Sequence, residues 1–156
     1  MTQGLSYRVA TEADLPAVVA LLNDDEFGKT RNPPFEAEPE RYRSAFEAMG
    51  AHGDNQVIVA VSHGAIVGCY QLTYIRGLSH LGGLRAQIES VRVSSAQRNQ
   101  GIGRAMVKAR IDWLEERFDF GRILVSVAKT KRFREMGFNE VRKSTIDGRH
   151  LLVRKF

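Results

Sequence analysis

The 156-residue chain has one cysteine, Cys69, so no internal disulfide can form. Its four histidines show no metal-ligand spacing, and no metal is expected. No apolar run approaches the ~18 residues that a membrane-crossing helix needs. Residues 1–10 lack the basic-then-apolar plan of a signal peptide, which points to a cytoplasmic protein. Internal repeats and low-complexity segments are absent. With 43% apolar and 26% charged residues, the composition excludes disordered, collagenous and coiled-coil chains. What remains is one globular domain, residues 1–156, long enough to bury a core without staples.

The net charge of +5 is unevenly distributed. Residues 1–91 carry 7 Lys and Arg against 11 Asp and Glu, whereas residues 92–156 carry 16 against 7. A basic C-terminal part suits a polyanionic ligand: nucleic acid, an anionic membrane surface or a phosphorylated cofactor. A solvated basic face accounts for the same charge equally well. No helix-turn-helix, zinc or aromatic RNA-binding pattern accompanies it, so nucleic acid is not an expected partner.

Alternating apolar residues predict strands at 5–10, 56–62, 65–75 and 86–93. His63-Gly64 suits a tight hairpin turn between the second and third of these. Thr11, with Asp14 three residues on, reads as a capping box opening a helix whose apolar face holds Leu15, Val18, Val19 and Leu22. Residues 23–38, polar and containing Pro33-Pro34, read as a loop. A second helix is expected over 38–49 and a long one over 103–118. The long helix has two apolar stripes, as for a helix packed onto a sheet. A strand at 123–127, a short helix at 129–136 and an antiparallel pair at 138–143 and 151–156, joined across a turn containing Asp147-Gly148, complete a mixed α/β domain.

The most specific stretch is Val91-Arg92-Val93-Ser-Ser-Ala-Gln-Arg98-Asn99-Gln100-Gly101-Ile102-Gly103-Arg104. A strand enters a loop with two glycines, the second of which opens a helix. Glycine lets the backbone approach a ligand closely, and the unpaired N–H groups of a helix start attract anions. Arg98 and Arg104 add charge, and together these features describe a pyrophosphate cradle. A Walker loop is excluded because no Lys-Ser or Lys-Thr follows the glycines. The Rossmann fingerprint is excluded because Met106 stands where its third glycine belongs.

Arg98-Asn-Gln-Gly101-Ile-Gly103 resembles the [RQ]-x-x-G-x-[GA] motif of the GNAT superfamily of acyl-CoA N-acyltransferases. Ile88-Glu-Ser-Val-Arg-Val93 looks like that family's fourth strand, and Arg132-Phe-Arg-Glu-Met-Gly137-Phe138 resembles its late signature in altered form. The resemblance implies a single domain with a central, mostly antiparallel mixed sheet, splayed between strands 4 and 5 and flanked by helices. It further implies acetyl-CoA as co-substrate, with its pyrophosphate on the backbone of residues 98–104 and its pantetheine arm between the splayed strands. Val91 and Val93 would pair with the pantetheine amides, with Arg92 between them. The implied reaction is direct acetyl transfer to a primary amine on a small molecule or peptide, and a homodimer is compatible with it.

Within this resemblance Glu89, inside the central strand, is the carboxylate placed to act as base. A structural role, paired with Arg92 or Arg85, fits the same position. The family's usual tyrosine acid falls on Phe133, which has no hydroxyl, and the segment before it is short. Lys129 or Ser126 could contact the cofactor instead. A CoA-binding sensor without turnover is the alternative that Phe133 favours. Cys69 reads as a buried strand thiol, and Tyr70, Leu72 and Tyr74 share one strand face as core. The acidic run Asp24-Asp25-Glu26 reads as a solvated loop or an attractor of cationic amines.

Overall fold

A computed structural model describes residues 4–24, 26–78, 82–117, 122–127, 131–143 and 150–155. Seven strands form one sheet: β1 (Leu5–Val9), β2 (Asn55–Ser62), β3 (Ala65–Ile75), β4 (Arg85–Val93), β5 (Arg122–Val127), β6 (Asn139–Lys143) and β7 (His150–Lys155). Their spatial order is β1-β2-β3-β4-β5-β7-β6. Every neighbouring pair is antiparallel except β4 and β5, which run parallel. Parallel neighbours need a crossover, and α4 (Ile102–Arg117) supplies it. The other helices are α1 (Leu15–Asn23), α2 (Glu26–Arg31), α3 (Pro39–Gly50) and the short α5 (Lys131–Arg134).

Alternation along β2, β3 and β4 divides the core between two faces of the sheet. On one face Ile58, Tyr70, Leu72, Ala86 and Ile88 meet Met106, Val107, Ile111 and Leu114 of α4, all buried. Each of these α4 side chains is worth about 1.5–3 kcal/mol of burial. The two apolar stripes expected on this helix therefore resolve into one buried seam, with Trp113 packed at its edge. On the opposite face Val59 and Cys69 meet Val18 and Leu21 of α1, with Phe46 of α3 beside them.

The hairpin at His63-Gly64 forms as expected, with φ of 48° and 80° at the two residues. Two N-terminal expectations need correction. The helix expected from Thr11 starts as a 3-10 turn, Glu12–Asp14, that runs into α1 at Leu15. The stretch read as a loop contains α2 and a 3-10 turn at Phe35–Ala37. Pro33-Pro34 forbids helix only locally, and α2 ends at Arg31, ahead of that pair. The turn expected at Asp147-Gly148 lies outside the described residues.

Candidate active site

The parallel pairing of β4 with β5 runs from Arg85↔Arg122 to Ile88↔Val125 and stops. Both strands continue, β4 to Val93 and β5 to Val127, each still paired to its outer neighbour. The sheet is thus split between its two central strands over their C-terminal ends. The split begins beside a bulge: Ser90 has φ of 53°, and the β3–β4 register shifts between Cys69↔Arg92 and Gln71↔Glu89. An extra residue on β4 turns the strand and ends its pairing. Sequence reasoning missed this bulge, although the pattern carries it. Ala86 and Ile88 point toward α4, and the next residues to do so are Val91 and Val93, after a step of three instead of two.

Glu89 and Arg92 take the face opposite α4. Glu89 stands across from Gln71, is half-buried, and accepts a hydrogen bond from Gln87 Nε2 at 2.8 Å. Its partner is thus Gln87 and not Arg92 or Arg85. Arg92 stands across from Cys69 and reaches back to the Val91 carbonyl at 3.2 Å. Cys69 is 2% exposed, and burial pushes its thiol up to about 12. It therefore stays protonated and unreactive. Tyr70 and Tyr74 lie on the α4 face, where Tyr70 is 1% exposed and its hydroxyl accepts from Arg110 Nε at 3.0 Å.

Past β4 the chain makes a 3-10 turn, Ser95–Gln97, before entering α4. Asn99 and Gly101 both have positive φ, 66° and 82°. A side chain at Gly101 would be strained by this backbone, and its Cβ would project into open space. That open space lies at the start of α4, whose first-turn N–H groups have no partner within the helix. Ile102 is buried beneath, and a Cβ on Gly103 would come within 3.4 Å of Val93 Cγ2, so the helix start lies tight on β4. Gln100 is exposed.

Arg98 in this loop and Arg104 in the first turn of α4 are both engaged with protein groups. Arg98 donates through Nε to the Val93 carbonyl at 3.1 Å, and its Nη2 bonds the Asp24 carbonyl. The Asp24 carboxylate accepts the Ser95 N–H at 2.5 Å and lies 3.4 Å from the same guanidinium. Asp24 is therefore tied into the loop ahead of α4. Arg104 pairs with Glu135 at 3.3 Å, joining α4 to the turn after α5. Phe133 is half-buried and meets Phe138 edge-on, with ring centroids 5.8 Å apart. Lys129 and Asp25 lie outside the described residues. Among the described residues no group of three or more His, Cys, Asp or Glu could hold a metal. None of the described helices is long and apolar enough to cross a membrane.

A split parallel pair, with a helix start and a bare glycine beside it, is the frame of an acyl-CoA-dependent transferase. Residues 16–138 match the acetyltransferase (GNAT) family, and the chain belongs to that family. Among solved structures, a transcriptional regulator from Bacillus halodurans is 33% identical, with a TM-score of 0.78 over 90% of this chain and 96% of the other. A glucosamine-6-phosphate N-acetyltransferase from Arabidopsis thaliana is 18% identical (TM-score 0.70, covering 92% and 98%). Mutant forms of a spermidine/spermine N-acetyltransferase from Vibrio cholerae are 17% identical (TM-score 0.69, covering 97% and 94%). The last two are likenesses of fold alone. No curated protein sequence matches the chain.

Proposed function

We propose that this protein transfers the acetyl group of acetyl-CoA directly to a primary amine. The observation that carries the reading is the end of β4–β5 pairing at Ile88↔Val125, next to the open space at Gly101. The residues present suit the co-substrate. A Cβ at Gly101 would fill the space that a pyrophosphate needs, and the α4 N-terminus offers it N–H donors and a positive dipole end. The unpaired β4 edge from Glu89 to Val93 offers amide groups to the pantetheine arm, as an added strand would. Gly101, Ile102, Gly103 and Arg104 would hold the phosphates. Arg98 serves them through Asp24 and Val93, by fixing the loop.

The chain has little covalent work to do. An amine must lose its proton before attack, and Glu89 is the half-buried carboxylate on the unpaired part of β4. Gln87 holds one of its oxygens, leaving the other to take a proton directly or through water. The donors on β4 would polarise the thioester carbonyl, which is where negative charge develops. Attack by a protein thiol is disfavoured, because the only one, Cys69, is buried and protonated. The leaving thiolate, whose conjugate acid has a pKa near 8.5, needs no strong acid to depart near neutral pH.

A second reading, a CoA-binding sensor without turnover, is favoured by Phe133, which places a ring with no hydroxyl in the altered signature. Thiol release from acetyl-CoA, measured across polyamines, aminoglycosides, amino acids, peptide N-termini and lysine peptides, separates the two. Amine-dependent release supports transfer. Tight acetyl-CoA binding with no release from any amine supports the sensor.

A further inference from the structure

A cavity of about 520 Å³ opens on the α4 face of the sheet, toward the ends of β3 and β4 that are remote from the split. Tyr7, Gln56, Tyr74, Leu84, Arg110 and Trp113 line it. Glu89 faces the other side of the sheet and lies beyond the last β4–β5 pair, so the cavity and the acyl-transfer site are separate places. The acetyl transfer proposed above makes no use of it.

The charges at this cavity do not cancel. Arg8 is neutralised by Asp14 through a two-pronged contact of 2.6 and 2.8 Å, and Arg76 lies 3.7 Å from Asp54. Arg110 has no carboxylate partner among the described residues. Its Nε donates to the buried Tyr70 hydroxyl at 3.0 Å, it is hydrogen-bonded to Tyr74, and its guanidinium sits 4.7 Å from the centroid of the Trp113 ring. Arg117 covers the same ring at 4.8 Å. Burial raises the pKa values of Tyr7, Tyr70 and Tyr74, so these phenols stay neutral and cannot supply a counter-charge. A half-buried guanidinium held in place by neutral hydroxyls and an aromatic ring pays for desolvation without an ion pair to offset it. The same arrangement fixes its planar fork, which matches a carboxylate or phosphate through two parallel hydrogen bonds. Beside it Val9, at 48% exposure, Leu84 and the tyrosine rings form an apolar wall.

We propose that this cavity is a second ligand site, which takes a small molecule carrying a carboxylate or phosphate head on an apolar body, the head on Arg110. Ligand sites of this size are mostly apolar with a few fixed polar groups, as here. Trp113 is the chain's only tryptophan, so its fluorescence reports on the site directly.

The test titrates the whole protein with phenylacetate, phenyl phosphate and neutral phenylacetamide while Trp113 emission is followed. A saturable change with one or both anions, and none with the amide, is expected, and the two anions distinguish a carboxylate from a phosphate preference. Saturating acetyl-CoA should leave the anion titration in place. Arg110→Gln should weaken anion binding by about thirtyfold or more, the usual scale for one partner of a desolvated charge pair. Gln56→Glu, nearly isosteric and placing a carboxylate in the cavity, should weaken it to a similar extent and decides the matter should Arg110→Gln fail to fold. The proposal is overturned by no saturable response to either anion, by equal binding of the amide, by competitive displacement with acetyl-CoA, or by folded variants that bind as the wild type does. Because the readout is binding, a protein that shows no acetyl transfer can still pass or fail it.

Discussion

Arg98 hydrogen-bonds the backbone carbonyl of Asp24, 74 positions earlier in the chain, and lies 3.4 Å from its carboxylate. Asp24 in turn accepts the N–H of Ser95 at 2.5 Å. The end of α1 and the loop that opens α4 are therefore one connected unit, although the sequence places them in its acidic and basic parts.

This link gives a first prediction. Asp24→Asn keeps the shape of the contact but removes its charge. Should Arg98 act by fixing the loop, acetyl-CoA binding weakens by about fivefold, the worth of roughly 1 kcal/mol of net hydrogen bonding. Should Arg98 instead act on the phosphates with its own charge, freeing it from Asp24 tightens binding. Calorimetric titration with acetyl-CoA gives the sign, and weakening is the expected result.

Gly101 carries φ of 82° and open space where a Cβ would stand. Wild-type protein should gain thermal stability with acetyl-CoA, because a ligand bound only to the folded state raises its melting temperature. Gly101→Val strains the backbone and fills the cradle, so this gain should vanish. A folded Gly101→Val protein with an undiminished shift would place the cradle elsewhere.

Glu89→Gln preserves the size of the side chain and can still pair with Gln87. Turnover should fall by roughly 10²–10⁴-fold, the range for a positioned acid–base group, with acetyl-CoA binding intact. Steady-state rates near neutral pH check this, and unchanged turnover would remove Glu89 from the chemistry.

Phe133 packs edge-on against Phe138. Phe133→Tyr should keep or raise turnover, since it adds one oxygen to a half-buried ring. Phe133→Ala should cost about 2–3 kcal/mol, less than the ~3–5 kcal/mol of a fully buried ring, as read from denaturant unfolding. A drop in turnover with Phe133→Tyr would show that the ring's apolar edge is itself required.

Asp14 is buried at 8% exposure and accepts both prongs of Arg8 as well as the Thr11 N–H at 2.7 Å. The hydrogen bonds from Arg8, then those from Thr11, hold its carboxyl well below the ordinary carboxylate range. Its folded pKa is thus depressed relative to an unfolded value near 3.9. The stability it contributes is complete above that unfolded value and disappears as pH falls toward the folded one. Asp14→Asn should lower the melting temperature at pH 7 and narrow its difference from the wild type below about pH 4. Melting curves between pH 2 and 7, on the scale of that linkage, provide the check. A difference constant across that range would exclude the ionised pair as its source.

Local patterning determined most of the fold. Period-two alternation fixes β2, β3 and the start of β4, the His63-Gly64 pair fixes their hairpin, and the apolar seam of α4 fixes its docking onto the sheet. The glycines at 101 and 103 mark the loop on which the proposed acetyl-CoA site rests. These are short-range properties, each decided by a few neighbouring side chains. Long-range relations were decided by tertiary structure alone. The Asp24–Arg98 link joins residues whose separation leaves no periodic trace. Arg110 reads in sequence as one more charge on a basic helix, and only its placement against Tyr70, Tyr74 and Trp113 makes it, among the described residues, a guanidinium without a carboxylate. The Ser90 bulge stands between these cases. Its signature is a one-residue slip in alternation, but that the slip also ends the β4–β5 pairing depends on a strand more than thirty residues away.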